Sequence, residues 1–281
     1  QEEQVKLFSH LFDQLEKETL MPELVKSWME AKFTLLDNRK ADGFISPREL
    51  GRVEVASAFE KQLIAYIKRY SRTISRCVND ENNFEDCISQ ADLKVYAANM
   101  AENLKALPTS ASSQSCLVTV EGHKRSFKIH IPPSRDGSTR FPLVIVLHGA
   151  CEDAQNMVDV TKFNDLADQK GFIVVYTEAE YCMANRGRTW NVGDSIFWTV
   201  DDVEFIRNLI LIAENKLNVD PGKIFAAGFS NGAMLAHEIA TRIPRKIAAF
   251  ASVSGSMNGT EGKPENPVSA LIIHGDQDEI V

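Results

Sequence analysis

The chain has 281 residues, of which 44% are hydrophobic, and its formal net charge is −8 at pH 7. This length fits one large domain or two smaller ones, and the hydrophobic fraction suffices for an ordinary globular core. Nucleic acids and anionic membranes bind basic surfaces, so the negative charge argues against both as partners. No apolar run reaches the ~18–20 residues of a membrane-spanning helix, so no membrane span is predicted.

Residues 1–107 are predicted to form a helical domain. Along two stretches, apolar side chains recur at steps of three and four residues, which is the spacing of one helix face. These side chains are Leu24, Trp28, Ala31 and Leu35 in the first stretch, and Phe59, Leu63, Ile67, Tyr70 and Ile74 in the second. Two polar breaks interrupt the pattern, at 37–43 and 79–86.

The first polar break and the residues after it resemble the calcium-binding loop of an EF-hand. Gly43 stands at the sharp turn of such a loop, and Ile45 stands at its central apolar position. The metal ligands that the resemblance implies are Asn38, Asp42 and Glu49.

The second break aligns with the same pattern over residues 81–92, with Ile88 at the position of Ile45. Because EF-hands usually occur in pairs, the two loops imply an EF-hand-like domain with Ca²⁺ as its ligand. Three departures argue against metal binding. Asn38 replaces the usual first Asp, unless one inserted residue lets Asp37 serve; Lys40 at a ligand position would repel the ion; and Asp86 replaces the second glycine. A helical bundle with polar loops remains the alternative.

Residues 108–115 are small, polar and without periodicity, which is typical of a linker. We therefore predict a domain boundary here, followed by a second domain at 116–281. Its first apolar segments, 117–120 and 127–131, alternate apolar and polar residues as an antiparallel hairpin does.

Further along this second domain, short apolar runs alternate with helical stretches. The apolar runs are 143–147, 173–176, 224–227, 249–253 and 271–273, and the helical stretches lie near 156–170, 201–217 and 231–242. Continuous apolar runs suit strands that are buried on both faces of a parallel sheet. The alternation therefore predicts an α/β fold with a doubly wound, mostly parallel sheet.

The run 224–227 leads directly into Gly228-Phe229-Ser230-Asn231-Gly232, and helical sequence follows. Strand, tight turn and helix form the context in which a Gly-x-Ser-x-Gly segment presents a nucleophilic serine. The glycines leave room for the neighbouring strand and helix, and the helix N-terminus favours negative charge near the serine. We therefore predict that Ser230 is a catalytic nucleophile.

Two backbone N–H groups are predicted to stabilise the oxyanion that forms on the substrate. One belongs to Asn231, which follows the nucleophile. The other belongs to Ala150, in the segment Leu147-His148-Gly149-Ala150 that follows an apolar run. We interpret His148 as structural support for this loop.

A triad acid and then a histidine are expected after the serine. Asp276 and Asp278 both follow the run 271–273, and the residues alone leave the choice between them open. All six histidines precede these aspartates. The catalytic histidine is therefore expected beyond Val281, and the given residues alone are expected to be inactive.

Residues 116–281 resemble the feruloyl esterase and polyhydroxybutyrate depolymerase family of α/β-hydrolases, which includes the LpqC-like esterases. The resemblance runs in order through Leu147-His148-Gly149, Thr189-Trp190-Asn191-Val192-Gly193, 200–206, 218–221 with the Ser230 motif, and 274–281. It implies an α/β-hydrolase fold and hydrolysis of carboxylic esters through an acyl-enzyme, with no cofactor for catalysis. It also implies Asp278, rather than Asp276, as the acid.

The resemblance leaves several features open. Trp190 is predicted to line a substrate pocket, with a place in the core as the alternative. The ester is a small molecule or a polymer, of feruloyl, acetyl or hydroxyalkanoate type, and the oligomeric state is not indicated. Secretion or a periplasmic location is expected, and it would allow bridges such as Cys77–Cys87 or Cys151–Cys182, whereas reduced buried thiols are the alternative.

The absence of a histidine in the expected order supports a second hypothesis. The chain would then be a non-catalytic binding protein on a hydrolase fold, with a calcium-responsive helical module.

Overall fold

The computed structural model describes residues 25–26, 28–29, 45–46, 50, 63–65, 67–68, 74–75, 88–133, 140–182, 187–193, 200–257, 259 and 262–278. The chain divides into two compact units, one of residues 1–105 with 119–123 and one of residues 106–118 with 124–281. The predicted metal ligands Asn38, Asp42 and Glu49 lie outside the described residues. The EF-hand-like domain and its Ca²⁺ ligand therefore stay predictions.

In the first unit, a short antiparallel bridge joins Ile45 to Ile88. The N–H of each residue donates to the carbonyl oxygen of the other at 2.8 Å, and both side chains are fully buried. Helix α1 (Gln90–Ala106) follows the bridge. It begins with a capping box: the Asp92 carboxylate accepts from the Ser89 N–H, and the Ser89 hydroxyl accepts from the Asp92 N–H.

The second unit is built on a seven-stranded sheet. The described strands are β1 (Ser112–Val120), β2 (His123–Ile131), β3 (Phe141–Leu147), β4 (Ile173–Thr177), β5 (Tyr181–Cys182), β6 (Gly187–Arg188), β7 (Val219–Phe229), β8 (Ala249–Val253) and β9 (Ser269–Ile273). The further helices are α2 (Ala154–Thr161), α3 (Phe163–Lys170), α4 (Asp202–Lys216) and α5 (Asn231–Arg242).

The order of strands in the large sheet is β1-β2-β4-β3-β7-β8-β9, and β5 with β6 forms a separate two-stranded ribbon. β3 pairs in parallel with β4 and β7, and the pairs β7–β8 and β8–β9 are also parallel. By contrast, β2 and β4 form an antiparallel pair. The predicted α/β class with a mostly parallel sheet is confirmed.

The core lies around the central strands. Leu143, Ile145 and Leu147 of β3 are fully buried, and so is every residue of β4. On one face, Val146, Val174 and Tyr176 pack against Ala154 and Met157 of α2 and Ala167 of α3. The continuous apolar runs predicted as two-sided core strands are confirmed for β3 and β4.

Two predictions about the second domain differ from the structure. Residues 112–115 belong to β1 and not to a linker. β1 is an edge strand whose first residues are mostly exposed, so small polar side chains suffice there and no alternation marks the strand. Leu271, Ile272 and Ile273 of β9, the opposite edge strand among the described residues, are 53–59% exposed, so the described elements cover neither face of this strand.

Candidate active site

Ser230 lies in the sharp turn between the end of β7 and the start of α5. Its backbone angles are φ 50° and ψ −121°, a combination that non-glycine residues rarely adopt. The turn is held from both sides: the Ser230 N–H donates to the Val253 carbonyl at 2.9 Å, and the Ser230 carbonyl accepts from the Ala233 N–H at 2.8 Å. The surrounding structure thus imposes an unfavourable backbone conformation on the partly buried Ser230, and strain of this kind clusters at functional sites.

The two glycines of the motif make this turn sterically feasible. A Cβ atom on Gly228 would overlap the carbonyl oxygen of Gly232, and one on Gly232 would overlap the carbonyl oxygens of Leu147 and His148. The second overlap shows that the loop after β3 lies against the first turn of α5. The two segments predicted to supply oxyanion donors therefore come together.

Asn231 is the first residue of α5. The first N–H groups of a helix have no acceptor within the helix, and the helix dipole makes this end favourable for negative charge. The Asn231 N–H is therefore suited to receive an oxyanion beside Ser230.

The loop after β3 is organised by His148, which is completely buried. Its Nδ1 lies 2.7 Å from the Gly149 carbonyl oxygen, and its Nε2 lies 3.0 Å from the Ala179 nitrogen. A carbonyl only accepts and a backbone N–H only donates, so the ring is the neutral tautomer with the proton on Nδ1. Burial lowers the pKa of His148, which stabilises this neutral form. The interpretation of His148 as loop support fits this geometry.

Trp190 is 1% exposed and contacts both segments of the site. Its indole Nε1 donates to the His148 carbonyl oxygen at 2.8 Å, and its backbone N–H donates to Asn231 Oδ1 at 2.7 Å. A side chain so buried has its surface covered by protein. The prediction that Trp190 lines a substrate pocket stays a prediction, and the burial favours the alternative of a core position.

A buried ion pair holds the segment that carries Trp190. Asp202 accepts from Arg125 Nη2 with Oδ1 at 2.5 Å and from the Asn191 N–H with Oδ2 at 2.7 Å. The guanidinium of Arg125 also lies 4.1 Å from the centre of the Phe205 ring. Burial raises the pKa of Asp202, and the charge of Arg125 acts against that shift.

A second charged group lies between α4 and α5. Asp201 caps α4 by accepting from the Glu204 N–H at 3.1 Å, and it also binds Arg242 of α5 at 2.5 Å. Glu238 of α5 accepts from the Gly193 N–H at 2.5 Å. The pair of Asp201 and Arg242 thus anchors α5 to the start of α4, and the contact of Glu238 with Gly193 anchors α5 to the segment 189–193.

The candidate acids follow β9. Because β7, β8 and β9 run in parallel, their carboxyl ends lie at the same edge of the sheet as Ser230. Asp278 Oδ2 lies 3.5 Å from His274 Nε2, whereas Asp276 is exposed. The roles of Ser230, Asp278, Ala150 and Asn231 remain predictions that this arrangement allows.

The three buried histidines among the described residues have partners away from the Ser230 hydroxyl. His130 lies between Ser113 and Asp168, with contacts of 2.6 and 2.8 Å, and His237 lies 3.1 Å from the Ser252 hydroxyl. His148 supports its loop, as described above.

A family model described as Esterase PHB depolymerase matches residues 125–281, which is more than half of the chain. The chain belongs to this family. The sheet order and the strand–Ser230–helix turn are those of an α/β-hydrolase, so the fold predicted from the sequence is confirmed.

This Esterase PHB depolymerase member is similar in sequence to several curated proteins. It is 29% identical to the bifunctional acetylxylan esterase/xylanase XynS20E of Neocallimastix patriciarum over 153 residues, covering 54% of this chain and 22% of the relative. It is 32% identical to the putative esterase NocK of Nocardia uniformis subsp. tsuyamanensis over 168 residues, covering 58% and 48%. It is 30% identical to feruloyl esterase B of Piromyces equi over 162 residues, covering 56% and 30%. The chain thus spans less than half the length of each.

The roles of several charged residues of this family member could not be predicted from its sequence. Asp201 and Asp202 stand in a segment that carries the family resemblance, but their partners, Arg242 for Asp201 and Arg125 for Asp202, are distant in sequence. No local pattern indicates such partners. The sequence therefore shows that segment 200–206 resembles the family, but it does not show which contacts its aspartates make.

The predictions about disulfide bridges, a bound metal and a membrane span concern residues that the structure describes only in part. Cys116, Cys151 and Cys182 are thiols in the structure, and Cys77 and Cys87 lie outside the described residues. Within the described ranges, no cluster of three or more His, Cys, Asp or Glu side chains could hold a metal ion. No helix in those same ranges has the length and hydropathy needed to span a bilayer.

Proposed function

We propose that the chain carries the nucleophile part of a serine carboxylic-ester hydrolase that works through an acyl-enzyme. The observation that carries the proposal is the backbone of Ser230, at φ 50° and ψ −121°, between β7 and α5. Strain of this kind costs about 1–3 kcal/mol and clusters at active sites, where it helps to present a functional side chain. The family membership supports the same reaction class.

In the proposed reaction, Ser230 Oγ attacks the carbonyl carbon of the ester and loses its proton to a histidine. The negative charge that develops on the carbonyl oxygen is received by the N–H groups of Asn231 and Ala150. The alcohol leaves with a proton from the same histidine, and water then releases the acid from Ser230. Asp278 is proposed to orient and stabilise the histidine, which follows the acid in the residue order of this fold.

The choice of Asp278 over Asp276 is supported by their exposure. The Asp278 side chain is 18% exposed and faces an imidazole, that of His274, at 3.5 Å. A partly desolvated carboxylate stabilises an imidazolium more strongly than a fully hydrated one.

The proposed substrates are carboxylic esters of small molecules or polymers. The names of the relatives concern acetylxylan and feruloyl esters. We propose these two ester types as the first to test, with hydroxyalkanoate esters as the comparison. Secretion, predicted from the same family, is tested by the location of the full-length protein in a cell fractionation.

Labelling with a fluorophosphonate tests the proposed function in the full-length protein. The reagent should modify Ser230 of the wild type, and Ser230→Ala should abolish the modification. Asp278→Asn should slow the labelling by about 10²–10⁴-fold, as expected for loss of base support, and Asp276→Asn should leave it unchanged. A wild type that binds an ester analogue but is not labelled would instead support the non-catalytic binding protein.

We also propose that the first unit is an EF-hand-like pair. The bridge between Ile45 and Ile88 supports this, because these are the two residues that occupy equivalent positions in the two predicted loops. Calorimetry of the full chain with Ca²⁺ tests the metal, with Glu49→Gln as the loss-of-ligand variant. An absence of heat together with an unchanged melting temperature would reject calcium binding.

A further inference from the structure

We propose that Trp190 is a positioning residue that couples the two oxyanion donors to each other. This inference rests on the proposed function, because it assumes that the N–H groups of Asn231 and Ala150 are those donors. It goes further by assigning Trp190 to the alignment of the donors, rather than to the substrate pocket.

The first connection runs from Trp190 to the residue after the nucleophile. The backbone N–H of Trp190 donates to Asn231 Oδ1 at 2.7 Å, and Asn231 Nδ2 lies 3.4 Å from the Trp190 carbonyl oxygen. Both the oxygen and the nitrogen of the Asn231 side-chain amide thus form hydrogen bonds with the backbone of Trp190. This restricts the orientation of the first turn of α5, and with it the direction of the Asn231 N–H.

The second connection runs from Trp190 to the loop after β3. The indole Nε1 donates to the His148 carbonyl oxygen at 2.8 Å, and the two rings pack with their centroids 4.9 Å apart. Trp190 therefore fixes both the backbone and the ring of His148.

His148 passes this constraint to Ala150. Its Nδ1–H donates to the Gly149 carbonyl oxygen at 2.7 Å. That carbonyl and the Ala150 N–H belong to the same peptide group, which is planar and trans, so they point in opposite directions. Fixing the Gly149 carbonyl on the His148 ring therefore turns the Ala150 N–H away from that ring.

Burial makes the coupling strong. Trp190 and His148 are 1% and 0% exposed, and Asn231 is 9% exposed. Water cannot readily replace a hydrogen bond that is lost at such positions, so the groups left behind would have to shift to find new partners. A small shift of an oxyanion donor lowers the reaction rate while leaving substrate binding nearly unchanged.

Two replacements at Trp190 in the full-length protein test this proposal. Trp190→Phe removes the indole N–H and reduces the ring. Benzothienyl-alanine, introduced at position 190 by codon suppression, keeps the ring size and replaces only the N–H by sulfur. Tyr176→Phe is the matched control, since it removes one aromatic donor, to Asn164 at 2.9 Å, from a ring that is equally buried.

The readout is fluorophosphonate labelling, separated into the dissociation constant of the reagent and the maximal rate of modification. We expect the maximal rate to fall roughly tenfold in both Trp190 variants, with an unchanged dissociation constant, while the Tyr176 control labels at the wild-type rate. Labelling of the benzothienyl variant at the wild-type rate would overturn the proposal even if Trp190→Phe fails to fold.

Hydrogen exchange supplies a readout that does not depend on catalysis. The benzothienyl variant should show faster amide exchange in 148–152, which loses its bond to the indole. Exchange should also be faster in 230–234, because a less firmly held Trp190 loosens the bonds of its backbone to Asn231. Exchange that is unchanged in both segments would overturn the coupling. A wild type that is not labelled at all would reject the proposed function, whereas the exchange experiment would still decide whether Trp190 couples the two segments.

Discussion

Arg125 and Asp202 form an ion pair inside the protein, with Nη2 and Oδ1 2.5 Å apart and side chains that are 2% and 0% exposed. Asp202 also receives the Asn191 N–H, so the pair fixes the segment next to Trp190. Removing one partner of such a buried ion pair strongly destabilises a protein, because the other charge then stays buried without compensation.

Arg125→Met should therefore destabilise the protein by about 3–5 kcal/mol. Urea unfolding followed by circular dichroism gives the free energy of unfolding. Arg245→Met is the control, because Arg245 pairs with Glu265 at 3.7 Å and both side chains are at least 75% exposed. The control should change stability by less than about 1 kcal/mol. Equal effects of the two variants would contradict the role given to burial.

The crowding around Gly228 predicts that replacement by alanine destabilises the protein much more at this position than at Gly222 of the same strand. Gly228→Ala would place a methyl group on the Gly232 carbonyl, and we expect a loss of at least about 3 kcal/mol or failure to fold. Gly222→Ala, also in β7, has its nearest contact at 3.4 Å and should change stability by less than about 1 kcal/mol. Thermal melting of both variants is the measurement. A stable Gly228→Ala protein would show that the turn relaxes easily.

The strained backbone of Ser230 predicts a difference in stability between two variants that both lack the hydroxyl. Both Ser230→Ala and Ser230→Gly remove the hydroxyl, but only glycine adopts a φ of 50° without steric cost. We expect Ser230→Gly to be about 1 kcal/mol more stable than Ser230→Ala, and neither to react with a fluorophosphonate. Comparing their urea midpoints isolates the backbone strain. An Ala variant as stable as the Gly variant would mean that little strain is stored there.

The buried His148 predicts a dependence of stability on pH. Burial lowers its pKa in the folded protein below the ordinary value of about 6.5, while Glu178, Glu152 and Asp153 act in the opposite direction. The unfolded chain then binds more protons than the folded protein as the pH falls below about 6.5, so stability must decrease on acidification.

His148→Gln retains an acceptor for the Ala179 N–H but does not titrate. Its free energy of unfolding should fall less than that of the wild type between about pH 7 and pH 5. Urea unfolding at several pH values gives both curves, and their difference removes the contribution of the other histidines. Parallel curves would refute the assignment of this pH dependence to His148.

Much of the fold could be predicted because it follows from local patterns. The apolar runs at 143–147 and 173–176 are strands since both faces of each strand are buried, and this leaves a continuous signature. The edge strand β1 could not be predicted over 112–115, because its exposed residues need no hydrophobic pattern.

In the candidate site, the turn that carries Ser230 could be predicted from the sequence. Ser230 and its glycines lie within five consecutive residues, and their steric roles follow from one turn. The core position of Trp190 was not decided, since an indole suits a substrate pocket and a protein core equally well until its neighbours are known.

The sequence by itself determined the α/β order of elements, the strand–Ser230–helix turn and the family, because each depends on residues that are close together in the chain. Tertiary structure alone decided that Trp190 binds His148, 42 residues away, and that Arg125 binds Asp202, 77 residues away. Such partners are chosen by the packing of the sheet and its helices. Buried donors and acceptors must be satisfied by whatever the fold brings near them, and no local pattern records that choice.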